Sequence, residues 1–265
     1  MMIKLAAFDL DGTLIGEDQQ ISPRVRRAIA TAQERGVIVT LATGRMFSAT
    51  RPFAEQLNID VPLIAYQGGW IQASREPTPQ YRVPLSLPAA QAALQLARSQ
   101  AWHTILYADG QIFLQALQYE RSFYESLLGE NFEIVPSWDT VLESHTPDKV
   151  LFVDDPDKIP AMRDLLHAEM DGKARIFRSH AKFIEVVPLS VDKGSGLAWL
   201  AQSYGIPQEA VMAVGDQEND LPMIQWAGTG VAMGNAAPIV QQAANWVAPS
   251  LHEDGAAAAL ERFIA

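Results

Sequence analysis

Asp-Leu-Asp-Gly-Thr, residues 9–13, places two carboxylates two positions apart, directly after the apolar run Ile3, Leu5, Ala6, Ala7, Phe8. The run reads as a buried strand, and the C-terminal end of such a strand is where a parallel α/β sheet presents its ligand-binding groups. Two acids so placed repel each other and are hard to keep ionised together without a cation. Gly12 allows a sharp turn and Thr13 adds a hydroxyl. The pattern points to a carboxylate nucleophile, an acid–base partner and a bound divalent metal.

Three later groups could share that site. Ala42-Thr43-Gly44-Arg45 closes a second apolar run; a hydroxyl and free backbone N–H groups at a strand–helix junction can hold phosphoryl oxygens. Asp192-Lys193-Gly194 opens a helix, where a lysine is unfavourable for the helix dipole, so its charge has reason to serve another purpose. Gly215-Asp216-Gln217-Glu218-Asn219-Asp220 follows the run Ala210–Val214 and repeats the strand-end carboxylate of Asp9. Each has a plainer reading when taken alone: a turn, a solvated lysine, or acids stabilising a helix's first turn.

The elements needed to position these groups follow from periodicity. After strand 3–9, Ser22-Pro23 supplies an N-cap and a proline at the first helical position, with Val25, Ala28, Ile29 and Ala32 at helical spacing. Gly36 ends that helix before the strand Val37–Leu41; a helix over 48–57 and a short strand over Leu63-Ile64-Ala65 come next. This β-α-β-α-β order predicts a parallel sheet. Between 83 and 186 the pattern changes. Thr104–Tyr107 and Ile112–Leu114 flank Ala-Asp-Gly-Gln, a hairpin signal, and strands at 149–153 and 182–187 alternate with helices near 88–99, 118–128 and 157–170. Clustered strands with interspersed helices predict an α+β insert with an antiparallel sheet. Alternation resumes with a helix over 194–204, the strand 210–214, a helix over 219–226, the strand Gly230–Ala232 and closing helices near 236–244 and 254–263. The fold class is α/β: a Rossmann-like parallel-sheet core over 1–82 and 187–265, with the α+β insert at 83–186.

Composition narrows the class. The 265 residues are 48% hydrophobic and 19% charged, with a formal net charge of −11. That balance suits a substantial core and argues against a nucleic-acid surface. There is no cysteine, so disulfides and thiolate metal sites are excluded. No apolar stretch approaches the ~18 residues of a membrane span, and the N-terminal residues do not resemble a signal peptide. The expectation is a cytoplasmic protein, a monomer or weak homodimer, with a small anionic molecule as its partner rather than nucleic acid or membrane.

The four groups together, Asp9-Leu10-Asp11-Gly12-Thr13, Thr43-Gly44-Arg45, Lys193-Gly194 and Gly215-Asp216-x-x-Asn219-Asp220, resemble the ordered motifs of the haloacid dehalogenase superfamily. The insert resembles the C2 cap of its Cof-type (subclass IIB) phosphatases, as do Val231–Ala236 and Glu253-Asp254-Gly255. Gln67-Gly68-Gly69-Trp70 stands where many relatives have Asn-Gly. The resemblance implies a phosphomonoester hydrolase acting on small phosphorylated metabolites, sugar phosphates foremost, through an aspartyl-phosphate on Asp9. It implies Mg²⁺ held by the side chains of Asp9 and Asp216 and the backbone carbonyl of Asp11. Asp11 would be the acid–base group, which requires a raised pKa. Thr43, Lys193, Asn219 and the backbone N–H groups of Leu10 and Gly44 would bind phosphoryl oxygens, and Asp220 would orient Lys193 or metal-bound water. Arg45 is left with two roles, substrate binding or anchoring its helix. A phosphomutase and a non-catalytic phosphometabolite sensor are the alternatives. Trp102, His103, Tyr107, Phe113, Trp138 and His180 of the insert are assigned to packing, and none is taken as a site residue.

Overall fold

The computed structural model describes residues 2–128 and 132–264, which divide into two compact units, 1–82 with 192–265 and 83–191. In the first segment the elements are β1 (Leu5–Phe8), α1 (Pro23–Glu34), β2 (Ile38–Leu41), α2 (Phe47–Gln56), β3 (Leu63–Ala65), β4 (Trp70–Gln72) and β5 (Tyr81–Arg82). The insert carries α3 (Leu87–Gln100), β6 (His103–Ala108), β7 (Gln111–Leu114), α4 (Arg121–Leu128), β8 (Glu133–Ile134), α5 (Trp138–Ser144), β9 (Pro147–Val153), α6 (Ile159–Met170), β10 (Ala174–His180) and β11 (Phe183–Pro188). The chain ends with α7 (Lys193–Ser203), β12 (Val211–Gly215), α8 (Leu221–Trp226), β13 (Thr229–Ala232), α9 (Pro238–Ala243), β14 (Trp246–Val247) and α10 (Gly255–Phe263).

The core sheet has the order β14-β13-β12-β1-β2, every pairing parallel. β1 lies between β12 and β2, and all four of its residues are buried. That explains why it reads as an unbroken apolar run, since a parallel strand is covered on both faces. α1 starts where the sequence signals: the Ser22 hydroxyl accepts the Val25 N–H at 3.2 Å, and Val25, Ile29 and Ala32 form its buried stripe. The same order brings the C-terminal ends of β1 and β12 side by side, with Phe8 opposite Val214. Asp9 and Asp216, far apart in sequence, therefore leave the sheet as neighbours.

Leu63–Ala65 corrects one expectation. It is not a ladder strand of the parallel sheet but the first strand of a separate antiparallel sheet, β3-β4-β5. One parallel bridge, Ala42 to Ile64, still ties it to the end of β2, so the chain order suggested the neighbour but not the ladder. The antiparallel partner β4 comes only five residues later, within reach of a tight turn, and takes the hydrogen bonds.

The insert folds on its own core. Its sheet runs β10-β11-β9-β6-β7-β8, antiparallel except between β7 and β8. Alternate residues Leu106, Val150, Phe152, Ile184 and Val186 face the alanine stripe of α3 and the Met162, Leu166 and Met170 stripe of α6. The hairpin between β6 and β7 turns on Asp109 (φ 50°) and Gly110 (φ 72°), both left-handed as an Asp-Gly turn requires. β10 carries no strand signal in the sequence because Arg175, Arg178 and Ser179 break its apolar alternation. β11 runs on to Pro188, paired with Ala174, so residues 187–191 belong with the insert and not with the core. His103, Tyr107, Phe113 and Trp138 are buried; the His180 side chain lies outside the described residues. Among the described residues no helix is long and apolar enough to cross a membrane.

Candidate active site

The site is built at the C-terminal ends of β1 and β12. Asp9 follows β1, is 5% exposed, and donates its N–H to the Val214 carbonyl at 3.0 Å. The next residues turn back sharply: the N–H groups of Thr13, Leu14 and Ile15 all donate to the Leu10 carbonyl. Gly12 has φ +87°, and a Cβ there would lie 2.3 Å from Asp216 Oδ2. The glycine of Asp-x-Asp-Gly is thus required twice, by its left-handed backbone and by the approach of a second carboxylate.

Lys193 sits at the centre of the acids, 1% exposed, with Nζ 2.6 Å from Asp9 Oδ1 and 2.5 Å from Asp220 Oδ1. It is the first residue of α7, whose N-cap Asp192 accepts the Ser195 N–H at 2.7 Å while the Ser195 hydroxyl accepts the Asp192 N–H at 3.0 Å. A lysine at a helix N-terminus is tolerated because two buried carboxylates take its charge. Asp220 Oδ2 accepts the N–H groups of Asp216 (2.8 Å) and Gln217 (2.9 Å), folding residues 216–220 into one tight loop. Asp216 accepts the Thr13 hydroxyl at 3.1 Å and the Gln217 amide at 2.9 Å, each on a different oxygen.

The charges do not balance. Asp9, Asp216 and Asp220 are all buried, one ligand oxygen from each lies within 4.8 Å of the others, and the lysine is the cation among them. Burial, with Asp220 next, pushes Asp216 up to about 7, against hydrogen bonds from Gln217 and Thr13. Burial likewise holds Asp9 well above the usual carboxylate range; Lys193 opposes this, and Asp220, Asp216 and Asp11 reinforce it. Burial works against the Lys193 charge, but Asp220 and Asp9 outweigh it and raise its pKa. Three desolvated carboxylates against one ammonium leave a deficit that a divalent cation fits. Asp220 has one oxygen on the Lys193 ammonium and the other on two backbone N–H groups, whereas Asp216 accepts only two neutral side-chain donors and Asp9 has one oxygen on Lys193, so Asp9 and Asp216 are the acids better placed to hold it.

Asp11 points elsewhere. Its side chain is 55% exposed and clamped in bidentate fashion by Arg45, Nη2 to Oδ1 at 2.6 Å and Nε to Oδ2 at 2.8 Å. Arg45 also stacks over Phe53 of α2 at 5.4 Å, so of its two expected roles the structure displays anchoring, directed at Asp11 as well as at the helix. Thr43 is buried; its hydroxyl oxygen accepts the Arg45 N–H at 3.1 Å, which leaves the hydroxyl hydrogen for a ligand. Gly44 lies between them in the same loop. Asn219 is 5% exposed, and its Nδ2 donates to Gln67 Oε1 at 3.0 Å. The fold thus gathers Asp9, Lys193, Asp216 and Asp220 into one cluster, holds Asn219 in the 216–220 loop, and places Asp11 and Thr43 on Arg45. Gln67 is the residue the sequence reading passed over. Its only signal was a polar residue ahead of Gly68-Gly69 where the family pattern has asparagine.

The comparisons with known proteins agree with this geometry. Residues 6–260 match the sequence model of the haloacid dehalogenase-like hydrolases. The chain is 31% identical over 264 residues to the 5-amino-6-(5-phospho-D-ribitylamino)uracil phosphatase YcsE of Bacillus subtilis, covering 99% of this chain and 96% of that one. It is 30% identical over 237 residues to the HMP-PP phosphatase of Klebsiella pneumoniae, covering 89% and 86%. Among solved structures, a haloacid dehalogenase-like hydrolase from Bacteroides thetaiotaomicron aligns with a TM-score of 0.85 at 32% identity, over 98% of this chain and 99% of that one. On the ordered motifs, the buried acid cluster and these matches, the chain belongs to the haloacid dehalogenase-like hydrolase family.

Proposed function

We propose that the protein is a Mg²⁺-dependent phosphatase that hydrolyses small phosphorylated metabolites, sugar phosphates foremost, through an aspartyl-phosphate on Asp9. The observation that carries this reading is the desolvated acid cluster of Asp9, Asp216 and Asp220 around a single lysine. The relatives from Bacillus subtilis and Klebsiella pneumoniae are named as phosphatases, the first of a phosphorylated ribitylaminouracil, which supports a small phosphorylated substrate.

Lys193 holds Asp9 Oδ1, which leaves Oδ2 as the attacking atom. A bond forms from Oδ2 to phosphorus as the bond to the leaving oxygen breaks. Asp11 delivers a proton to the departing alkoxide and then takes one from the water that attacks the aspartyl-phosphate, regenerating Asp9. Both Asp11 oxygens are engaged by Arg45, so this acid–base role requires the guanidinium to shift, and the incoming phosphate dianion supplies a competing partner for it. Thr43, the N–H groups of Leu10 and Gly44, and Asn219 offer donors to the phosphoryl oxygens, and Lys193 offsets charge that builds in the transition state. Mg²⁺, an oxygen-seeking ion, would be held by Asp9, Asp216 and the Asp11 carbonyl, and supplies neutralisation of charge on the nucleophile and phosphoryl group.

Asp9→Asn tests the reading. The variant is expected to fold, by circular dichroism and melting temperature, and to lose Mg²⁺-dependent hydrolysis of p-nitrophenyl phosphate. Undiminished turnover would refute the nucleophile. A phosphate-release screen over sugar phosphates, nucleotides, phosphorylated cofactors and phosphoglycolate then ranks the substrates.

A further inference from the structure

Tyr66, Gln67 and Gly68 form a turn of three consecutive left-handed residues, with φ of 49°, 58° and 103°. Two of the three carry a Cβ, and side chains rarely occupy that region unless the surroundings enforce it. The surroundings here are parts of the site. The Tyr66 N–H donates to the Arg45 carbonyl and the Gln67 N–H to the Thr43 carbonyl, both at 3.0 Å. Gly68 packs so closely on the start of the Lys193 helix that a Cβ would lie 2.2 Å from the Asp192 carbonyl oxygen. The turn therefore joins the Thr43 loop to the Lys193 helix.

The side chain of Gln67 extends this link to the third part. It is fully buried, and its Oε1 accepts Asn219 Nδ2 at 3.0 Å. Asn219 Oδ1 is buried with no hydrogen-bond partner among the described residues. A buried acceptor left without a donor is costly, and a water or a substrate hydroxyl supplies that donor where a phosphoryl oxygen does not; what the amide offers a phosphoryl oxygen is its second Nδ2 hydrogen. An amide has no charge to orient it, so the partner of its nitrogen decides which way it presents its two ends.

We infer that Gln67 is a positioning residue for phosphate binding: its side-chain carbonyl takes one Nδ2 hydrogen of Asn219 and so fixes the amide with its second Nδ2 hydrogen available to donate to a phosphoryl oxygen. This rests on the proposed phosphatase reading and goes beyond it, since that reading gives Gln67 no part in binding phosphate or metal. Strain in the turn is the cost of bringing a side chain of this length under Asn219 while its backbone bonds the Thr43 loop.

The test is a double-mutant cycle on the full chain. Gln67→Met keeps length and removes the acceptor; Asn219→Ala removes the group acted on. Two quantities are read for each variant with Mg²⁺ present: the dissociation constant of inorganic phosphate by calorimetry, and kcat/KM for p-nitrophenyl phosphate. Gln67→Met is expected to weaken phosphate binding and lower kcat/KM by about ten- to a hundredfold, the scale of a misplaced binding group. In the Asn219→Ala background the same change is expected to have no further effect. Gln67→Asn, which tolerates the left-handed backbone but is one methylene short, is expected to fall with Gln67→Met and serves if the methionine variant does not fold. Wild-type values in the single variants, or effects that multiply in the double variant, overturn the positioning role. A wild type that binds phosphate but hydrolyses no phosphomonoester removes the phosphatase reading alone, and the cycle in binding still decides the role of Gln67. A wild type that does neither overturns both.

Discussion

The acid cluster makes a quantitative prediction about metal, pH and stability. Asp216 is raised from an ordinary 3.8 to about 7 in the metal-free protein. At about 1.4 kcal/mol per pH unit, ionising it in the folded state costs about 4 kcal/mol relative to the unfolded chain. Because the folded-state pKa is the higher one, the native protein holds a proton that the unfolded chain releases between pH 3.8 and about 7. This group's contribution to metal-free stability therefore falls as pH rises through that window, is full below it and levels off above it. A divalent cation takes the proton's place, so Mg²⁺ should stabilise the protein strongly at pH 8 and weakly at pH 5. Urea denaturation at both pH values, with and without millimolar Mg²⁺, measures the difference directly. The expected gap between the two Mg²⁺ effects is a few kcal/mol, and Asp216→Asn should narrow it, leaving the part that Asp9, also raised by burial, contributes. An equal Mg²⁺ effect at both pH values, or a gap as wide in Asp216→Asn as in the wild type, refutes the assignment of this carboxylate to the metal.

Lys193→Met leaves the three acids without their cation; breaking one partner out of a buried pair costs ~3–5 kcal/mol, and urea denaturation should show the larger loss at pH 8, where protonation gives no relief. The same variant should lose ~10²–10³ in kcat, the scale of removing one transition-state charge stabiliser; a near-native rate in a steady-state assay contradicts that role. Gly12→Ala places a Cβ 2.3 Å from Asp216 Oδ2 at φ +87°, and strain of ~1–3 kcal/mol from the backbone alone should appear as a lower melting temperature together with weakened Mg²⁺ binding. In the insert, the Tyr124 hydroxyl accepts N–H groups from Gln118 and Tyr119 and so donates to His103 Nε2 at 2.8 Å, and burial, only partly opposed by Asp154, pushes His103 down to about 4. The unfolded chain then binds the extra proton between pH 6.5 and 4, and stability should decrease as pH is lowered through that window, by at most ~3 kcal/mol; a His103→Gln variant with an unchanged acid limb, measured with Mg²⁺ saturating, would count against it.

Much of the fold is legible in the sequence. The apolar runs ahead of Asp9 and Asp216 read as buried strands, the β-α-β order around them made those strands parallel, and acids at their C-terminal ends face the crevice. The Asp-Gly turn announced the hairpin of the insert. Leu63–Ala65 was legible as a strand but not in its pairing, because an apolar tripeptide carries no mark of which neighbour takes its hydrogen bonds. β10 was hidden by its own charges.

Sequence alone singled out Asp9, Lys193, Asp216 and Asp220, which the fold gathers, but not Gln67, since residue type and strand-end placement are local properties and an amide contact between separate elements is not. It also determined the need for Gly12, which the turn demands. Tertiary structure decided how those groups are divided. Lys193 lies between Asp9 and Asp220, Arg45 takes Asp11, and Gln67 takes Asn219. Each of these pairings joins residues from separate elements, and which ones meet depends on how the strands order and the turns pack. Burial, too, belongs to the assembled fold: only once the sheet and its helices exclude water do three ordinary aspartates become a cluster that could hold a metal ion.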